Sequence, residues 1–144
     1  MTAHSRPRFH LAFPVTDLEA ARAFYGGILG CPLGRESQDW IDFDFHGHQI
    51  VAHRVPVEQH PVQSGTAVDG HLVPAFHFGL LVDWDDFDPL AERLRQAGVP
   101  FIIEPYLRFA GLAGEQKTLF VRDPSGNALE FKSFRDERMI FARE

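Results

Sequence analysis

Three side chains of types that bind divalent metal ions lie in separate segments with the pattern of β-strands: His10, His77 and Glu130. In each segment large apolar residues alternate with other residues, and the His or Glu belongs to the second set. Because side chains alternate between the two faces of a strand, we expect the apolar faces to pack on helices and these three side chains to lie on the opposite side of the sheet. Their neighbours on that side are small: Ala12, Gly79 and Ala128. Two imidazoles and a carboxylate with space around them predict a divalent-metal site.

The elements that must position these residues occur in the same order in both halves of the chain. Each half has a strand that contains a His, then a helix, a glycine and further strands; the first helix is predicted to begin at the capping-box sequence Thr16–Glu19. Predicted strands are 9–15, 40–45 and 49–55, then 75–82, 101–103, 117–122 and 128–134, and the second helix is predicted at 84–98. We interpret the halves as two copies of a β-α-β-β-β module, which makes the fold class α+β.

One domain of two modules therefore accounts for the 144 residues. The modules are predicted at about 8–55 and 75–134, with a connecting loop at 56–74 and a C-terminal tail at 135–144. The single cysteine, Cys31, excludes an internal disulfide framework and a multi-cysteine zinc site.

The composition limits the partners. Fourteen Lys and Arg against 20 Asp and Glu give a net charge of −6, which argues against a nucleic-acid surface. No apolar run approaches the ~20 residues of a membrane span, and the N-terminal MTAHSRPRF lacks the apolar stretch of a signal peptide. We expect a soluble, cytoplasmic protein whose partner is a small-molecule substrate, with no nucleic acid and no membrane.

Two motifs resemble the vicinal-oxygen-chelate superfamily, which includes glyoxalase I, extradiol dioxygenases, fosfomycin-resistance proteins and bleomycin-binding proteins. His10–Leu18, followed by Phe24-Tyr25 and Leu29-Gly30, is similar to the opening of its first module. Asp123–Glu130, with the sequence DPSGNALE, is similar to its closing turn and strand. The resemblance implies paired modules that form a cupped mixed sheet of the glyoxalase type. It also implies a homodimer in which two chains often complete two sites.

The resemblance also implies a ligand set for one divalent metal per site. The first-strand His of the family matches His10, its fifth-strand His matches His77, and its last-strand Glu matches Glu130. The fourth-strand position varies among members, and this chain has no acid there. His53 would be a fourth ligand if the odd-numbered residues of its strand face the cup.

Several reactions are compatible with this ligand set, because it leaves coordination positions open for a substrate that chelates through two neighbouring oxygens. Two His and one Glu favour Fe(II) and extradiol-like dioxygenase chemistry; Zn, Ni or Mn would act as a Lewis acid. The extradiol enzymes usually have a Tyr where this chain has Phe120. A glyoxalase-like isomerase or lyase, a fosfomycin-type thiol transferase and a metal-free small-molecule binding protein are the alternatives.

No catalytic acid or base can be assigned from the sequence. A phosphonate substrate would need cations near the metal, and the Gly-containing segment that begins at Tyr106 could form a lid. The candidate substrate-binding residues are Arg54, Tyr106, Arg108, Lys117, Phe120 and Lys132.

Overall fold

The computed structural model describes residues 6–61 and 65–143, and the chain divides into two compact units, Met1–Pro61 and Val62–Glu144. The predictions for the N-terminal residues 1–5, for residues 62–64 of the connecting loop and for residue 144 of the tail fall on residues that the structure does not describe. Each unit has its own four-stranded sheet. The two sheets have the same strand order, which agrees with the predicted repeat and its α+β class.

The first unit contains one complete β-α-β-β-β module. Its strands are β1 (His10–Val15), β2 (Leu33–Glu36), β3 (Trp40–Phe45) and β4 (His48–Arg54). The helix α1 (Leu18–Ala21) continues directly into a π-helical stretch, Arg22–Ile28. The sheet order is β1-β4-β3-β2, and β1 runs parallel to β4. A single 3-10 turn, Val57–Gln59, follows β4.

The predicted apolar face of β1 packs against the helical segment. Phe13 is buried, and its ring lies 5.3 Å from the ring of Tyr25, which in turn lies 5.3 Å from Phe43. His10 lies on the other face, as predicted. The helix begins one residue later than predicted, because the N-cap is Asp17, whose carboxylate accepts a hydrogen bond from the Ala20 N–H at 3.1 Å.

The second unit contains the equivalent module preceded by a hairpin. The hairpin is β5 (Gly65–Val68) and β6 (His71–Pro74). The module has β7 (Phe78–Leu81), α2 (Trp84–Gln96), β8 (Phe101–Arg108), β9 (Gln116–Arg122) and β10 (Ala128–Phe134), with sheet order β7-β10-β9-β8 and β7 parallel to β10. Its core lies between α2 and the sheet and includes Phe87, Leu94, Leu119, Leu129 and Phe131, all fully buried.

Two sequence expectations are corrected by this arrangement, and one strand of the first unit was not predicted. The predicted connecting loop 56–74 contains the β5–β6 hairpin, whose two-residue turn Asp69-Gly70 has positive φ at both residues (50° and 79°). An Asp-Gly pair is a strong hairpin signal for that reason. The strand predicted at 101–103 continues to Arg108, and β2 was not located from the sequence.

No helix in the described ranges combines the length and the apolar character needed to cross a membrane.

Candidate metal site

His77 and Glu130 come together on the sheet face of the second unit that points away from α2. Glu130 lies in β10 opposite Gly79 of β7, and His77 is the residue just before β7. His77 Nε2 is 3.2 Å from Glu130 Oε1, and both side chains are largely shielded from solvent. The predicted pairing of these two side chains on one face is therefore present within this unit.

The other nitrogen of His77 determines what Nε2 can do. His77 Nδ1 lies 2.7 Å from the Pro74 carbonyl oxygen. A carbonyl only accepts, so Nδ1 must carry a proton and donate it. In the neutral ring Nε2 is then an unprotonated acceptor that faces a carboxylate oxygen, and two acceptors this close require a cation between them. That cation is either a proton on Nε2 or a metal ion.

The environment keeps Glu130 ionised. Burial opposes its charge, but the hydrogen bonds with His77 and Thr118 outweigh burial, so the pKa of the Glu130 carboxyl lies below its usual range. Thr118, only 3% exposed, donates its hydroxyl to Glu130 Oε2 at 2.5 Å. The hydrogen bond with Glu130, opposed by burial, raises the pKa of His77. The pair thus attracts a positive charge to the space between Nε2 and Oε1.

Gly79 makes the close approach of β7 and β10 possible. A Cβ at this position would lie 1.6 Å from the Glu130 carbonyl oxygen and 2.6 Å from its carbonyl carbon. Any side chain there would collide with backbone. A glycine two residues after His77 is therefore required by the backbone of the neighbouring strand, in addition to leaving space at the site.

Two of the predicted substrate-binding residues flank the pair. Phe120 pairs with Glu130 across β9 and β10, and its ring is 5.0 Å from the His77 ring in an edge-on arrangement. Lys132 Nζ is 4.0 Å from Glu130 Oε2. The pair thus has an apolar wall on one side and a cation on the other.

The remaining predicted substrate-binding residues are placed differently. Lys117 lies on the helix side of the sheet, where its ammonium contacts both carboxylate oxygens of Asp88 at 3.1 Å, so the prediction that it binds substrate beside Glu130 is wrong. Arg54 pairs in register with the buried Val15, which puts it on the helix side of its own sheet, and it contacts Asp39 at 2.6 Å. Both corrections follow from strand alternation.

Tyr106 and Arg108 belong to β8 and share the Glu130 face, because they pair with Thr118 and Gln116. Both bind Asp69 at the tip of the β5–β6 hairpin; the Tyr106 hydroxyl donates to Asp69 Oδ2 at 2.9 Å. They therefore hold the hairpin on β8, and the predicted lid segment begins as an ordered strand.

His10 in the first unit has a comparable arrangement. It is exposed on the face of β1 that points away from the helix, opposite Gln49 of β4, and its Nδ1 is 2.7 Å from Gln49 Oε1. His53 shares this face but pairs with Pro14, four residues further along β4. Gln49 is therefore the fourth-strand residue that contacts His10, and we leave His53 out of the ligand set.

The donor atoms present fit a divalent metal. Atoms bonded to one ion at about 2.1 Å and at angles of about 90–109° are about 3.0–3.4 Å apart, and the 3.2 Å between His77 Nε2 and Glu130 Oε1 falls in that interval. Among residues 6–61 and 65–143, no group of three His, Cys, Asp or Glu side chains is placed to hold a metal ion.

Sequence reasoning missed two residues that orient the candidate ligands, Thr118 and Gln49. Both are cross-strand neighbours of a ligand, and only the strand register shows this. One signal was present in the sequence of β9. Leu119 and Val121 mark the apolar face of the strand, so the polar Thr118 must lie on the opposite face, where the ligands were predicted.

Comparisons with known proteins agree with the fold and with these motifs. A sequence model of the Glyoxalase/Bleomycin resistance protein/Dioxygenase superfamily matches residues 9–131. The chain is 24% identical over 125 residues to virulence protein STM3117 of Salmonella typhimurium, covering 87% of this chain and 82% of that protein. It is 25% identical over 123 residues to metallothiol transferase FosB of Lysinibacillus sphaericus, covering 85% and 78%. A solved glyoxalase/bleomycin resistance protein/dioxygenase from Alicyclobacillus acidocaldarius is 37% identical, with a TM-score of 0.76 over 97% of this chain and 100% of that one.

Proposed function

The chain belongs to the Glyoxalase/Bleomycin resistance protein/Dioxygenase superfamily, and we propose that it is a divalent-metal-dependent enzyme for a small substrate that chelates through two neighbouring oxygens. The observation that supports this most directly is the contact between His77 Nε2 and Glu130 Oε1 at 3.2 Å. The Pro74 carbonyl holds the proton on Nδ1. The two facing atoms are then both acceptors, and a metal ion satisfies both.

His10 is the third ligand in this proposal. Like His77, it uses Nδ1 for a hydrogen bond with an oxygen, in this case Gln49 Oε1. When one ring nitrogen donates in this way, the other is available to a metal. The ligand set His10, His77 and Glu130 then leaves coordination positions for the substrate.

The residues around the pair favour Lewis-acid chemistry on an anionic substrate. A bound divalent ion would polarise the chelating oxygens and neutralise negative charge that develops on them. Lys132 adds a positive charge beside Glu130, as an anionic substrate requires. Phe120 has no proton to donate, so a catecholate oxygen would find no hydrogen-bond donor in that side chain. The similarity to metallothiol transferase FosB makes thiol addition the transfer reaction to test first.

Extradiol-like dioxygenase chemistry is the second candidate. The observation in its favour is the donor set itself, because two His and one carboxylate are the ligands of many non-haem Fe(II) oxygenases. Fe(II) would be the cofactor for this reaction, whereas Zn, Ni or Mn would serve the Lewis-acid reaction.

The first experiment measures the metal. Protein purified without chelator and without an affinity metal is analysed for elements, then stripped and titrated with Mn²⁺, Zn²⁺, Ni²⁺ and Fe²⁺. We expect one divalent ion per chain in wild type, and loss of binding in His10→Ala and in Glu130→Ala with the fold unchanged by circular dichroism. His60→Ala, a histidine outside the proposed set, is the control. Stoichiometric metal in both ligand variants would refute the assignment.

The second experiment separates the reactions. Metal-loaded protein is assayed for thiol addition to an epoxide phosphonate, for hemithioacetal isomerisation, and, after anaerobic Fe(II) loading, for oxygen uptake with catechols. Thiol consumption that depends on Lys132 supports the transferase proposal, and Lys117→Ala serves as the matched control because Lys117 lies on the other face. Oxygen uptake would replace this proposal with the dioxygenase. Tight ligand binding without metal would make the protein a binder.

Homodimer formation and a cytoplasmic location remain predictions. Light scattering coupled to size exclusion measures the first. Mixing His10→Ala with Glu130→Ala chains then tests whether two chains share a site, because only a shared site would regain metal in the mixture.

A further inference from the structure

Gln49 contacts the predicted ligand His10 with one end of its amide and Asp42 with the other. Its Oε1 lies 2.7 Å from His10 Nδ1. Its Nε2 donates to Asp42 Oδ2 at 3.3 Å. The three residues lie on adjacent strands β1, β4 and β3 and on the same sheet face, because His10 pairs with Gln49 and Asp42 pairs with Val51.

The donors and acceptors in this chain of contacts allow one arrangement. An ionised carboxylate only accepts, so the Gln49 group that faces Asp42 must be the NH₂. The amide oxygen must then face His10. Because that oxygen only accepts, His10 Nδ1 must carry the proton, and Nε2 of the neutral ring keeps its lone pair. A negative charge at Asp42 thus sets the tautomer of a histidine two strands away.

A glycine next to Asp42 leaves room for its side chain, and an open groove beside His10 leaves room for a ligand. Asp42 packs beside Gly34 of β2, where a Cβ would lie 3.2 Å from the Asp42 Cβ, tighter than ordinary contact. His10, Asp42 and Gln49 all line one open groove of about 540 Å³ in the first unit.

We infer that Asp42 and Gln49 are positioning residues that hold His10 as the Nδ1–H tautomer, so that Nε2 is ready to bind a divalent cation. This rests on the proposed function for the role of His10, but the tautomer itself does not depend on any metal. A nearby histidine provides a contrast within the same unit. His48 Nδ1 accepts a hydrogen bond from the Phe9 N–H at 3.0 Å, so the neutral His48 ring must carry its proton on Nε2.

The test uses the metal-free protein at a pH above the histidine titration. Long-range ¹H–¹⁵N correlation spectra distinguish the two neutral tautomers of each imidazole. We expect His10 as Nδ1–H and His48 as Nε2–H in wild type. In Asp42→Ala and in Gln49→Leu we expect the His10 signals to shift to a mixture of tautomers or to Nε2–H. Asp39→Ala removes an equal charge from the same region and should leave His10 unchanged. An Nε2–H tautomer of His10 in wild type, or no change in either variant, would overturn the inference.

A titration with Zn²⁺ alone measures the consequence for binding. Loss of a group that orients a ligand costs about 10–100-fold in metal affinity, so Asp42→Ala should bind Zn²⁺ more weakly by that factor and Asp39→Ala should match wild type. Unchanged affinity in Asp42→Ala despite a shifted tautomer would overturn the positioning role. If wild type binds no Zn²⁺ and none of the other divalent ions, the proposed function fails, and the tautomer spectra still decide the state of His10.

Discussion

Replacing Gly79 by alanine tests how the structure brings His77 and Glu130 together. The new Cβ would lie 1.6 Å from the Glu130 carbonyl oxygen, whereas ordinary contacts are about 3.5 Å. The strand β7 would have to move by about 2 Å, which backbone hydrogen bonds of about 2.9 Å cannot tolerate. Overpacking alone costs about 1–3 kcal/mol, and each lost ladder hydrogen bond adds about 1 kcal/mol.

We therefore expect Gly79→Ala to lose about 3 kcal/mol or more of folding free energy, which lowers the Tm by roughly 10 °C for a chain of this length. Metal affinity should fall in parallel, because the same shift separates the two donor atoms. Thermal unfolding by circular dichroism and a Zn²⁺ titration measure the two effects. Gly114→Ala is the control, because a Cβ there meets nothing within 4 Å, and its stability should change by less than about 1 kcal/mol. A Tm of Gly79→Ala within about 2 °C of wild type would refute the reasoning.

Two further predictions concern side chains that hold the second unit together. Thr118→Val removes the hydroxyl that donates to Glu130 at 2.5 Å. Calorimetry should then show metal binding about 10–100-fold weaker than in wild type, and Thr118→Ser, which keeps the hydroxyl, should restore it. Equal metal affinity in all three proteins would exclude a role of Thr118 in orienting Glu130. Hydrogen bonds from the Gly111 backbone N–H and from Arg135 lower the pKa of the Glu115 carboxyl in the folded protein. The ionised Glu115 therefore stabilises the fold fully above the unfolded pKa of about 4.3, and this contribution is lost as the pH falls through the lower folded pKa. Denaturant unfolding should therefore show Glu115→Gln least stable relative to wild type above about pH 5, with the difference shrinking in stronger acid; a pH-independent difference would contradict the assigned cause.

The faces on which His10 and Glu130 lie were predictable because alternation along a strand is local, whereas His77 was predicted within a strand but precedes β7. Phe13 and Val15 are buried against the helical segment, so His10 must point the other way. The same rule, applied to Lys117, would have placed it with the buried Leu119 and Val121 on the helix side. The prediction for Lys117 was wrong because it considered only the charge of the side chain and not the sheet face on which position 117 lies.

Contacts between strands were not predictable in this way, because they depend on register. A slip of one residue would exchange the two faces of β9, and burial of the apolar face forbids it. A slip of two residues keeps the faces but could place Phe120, which now pairs with Glu130, in the diagonal position opposite Lys132 that Thr118 occupies. Hydrophobic patterning does not distinguish these two registers.

The turn between β9 and β10 supplies the missing constraint. Asp123, which is 4% exposed, accepts hydrogen bonds from the Ser125 and Asn127 backbone N–H groups, each at 2.9 Å, and its own N–H donates to the Asn127 carbonyl at 2.8 Å. Asn127 also donates its side-chain amide to Asp123 at 2.9 Å. A two-residue slip would have to break this buried set of hydrogen bonds, and buried polar groups left unpaired are costly. The turn sequence DPSGN before Glu130 therefore contributes to the site indirectly. It selects the β9–β10 register in which the Thr118 hydroxyl donates to the Glu130 carboxylate.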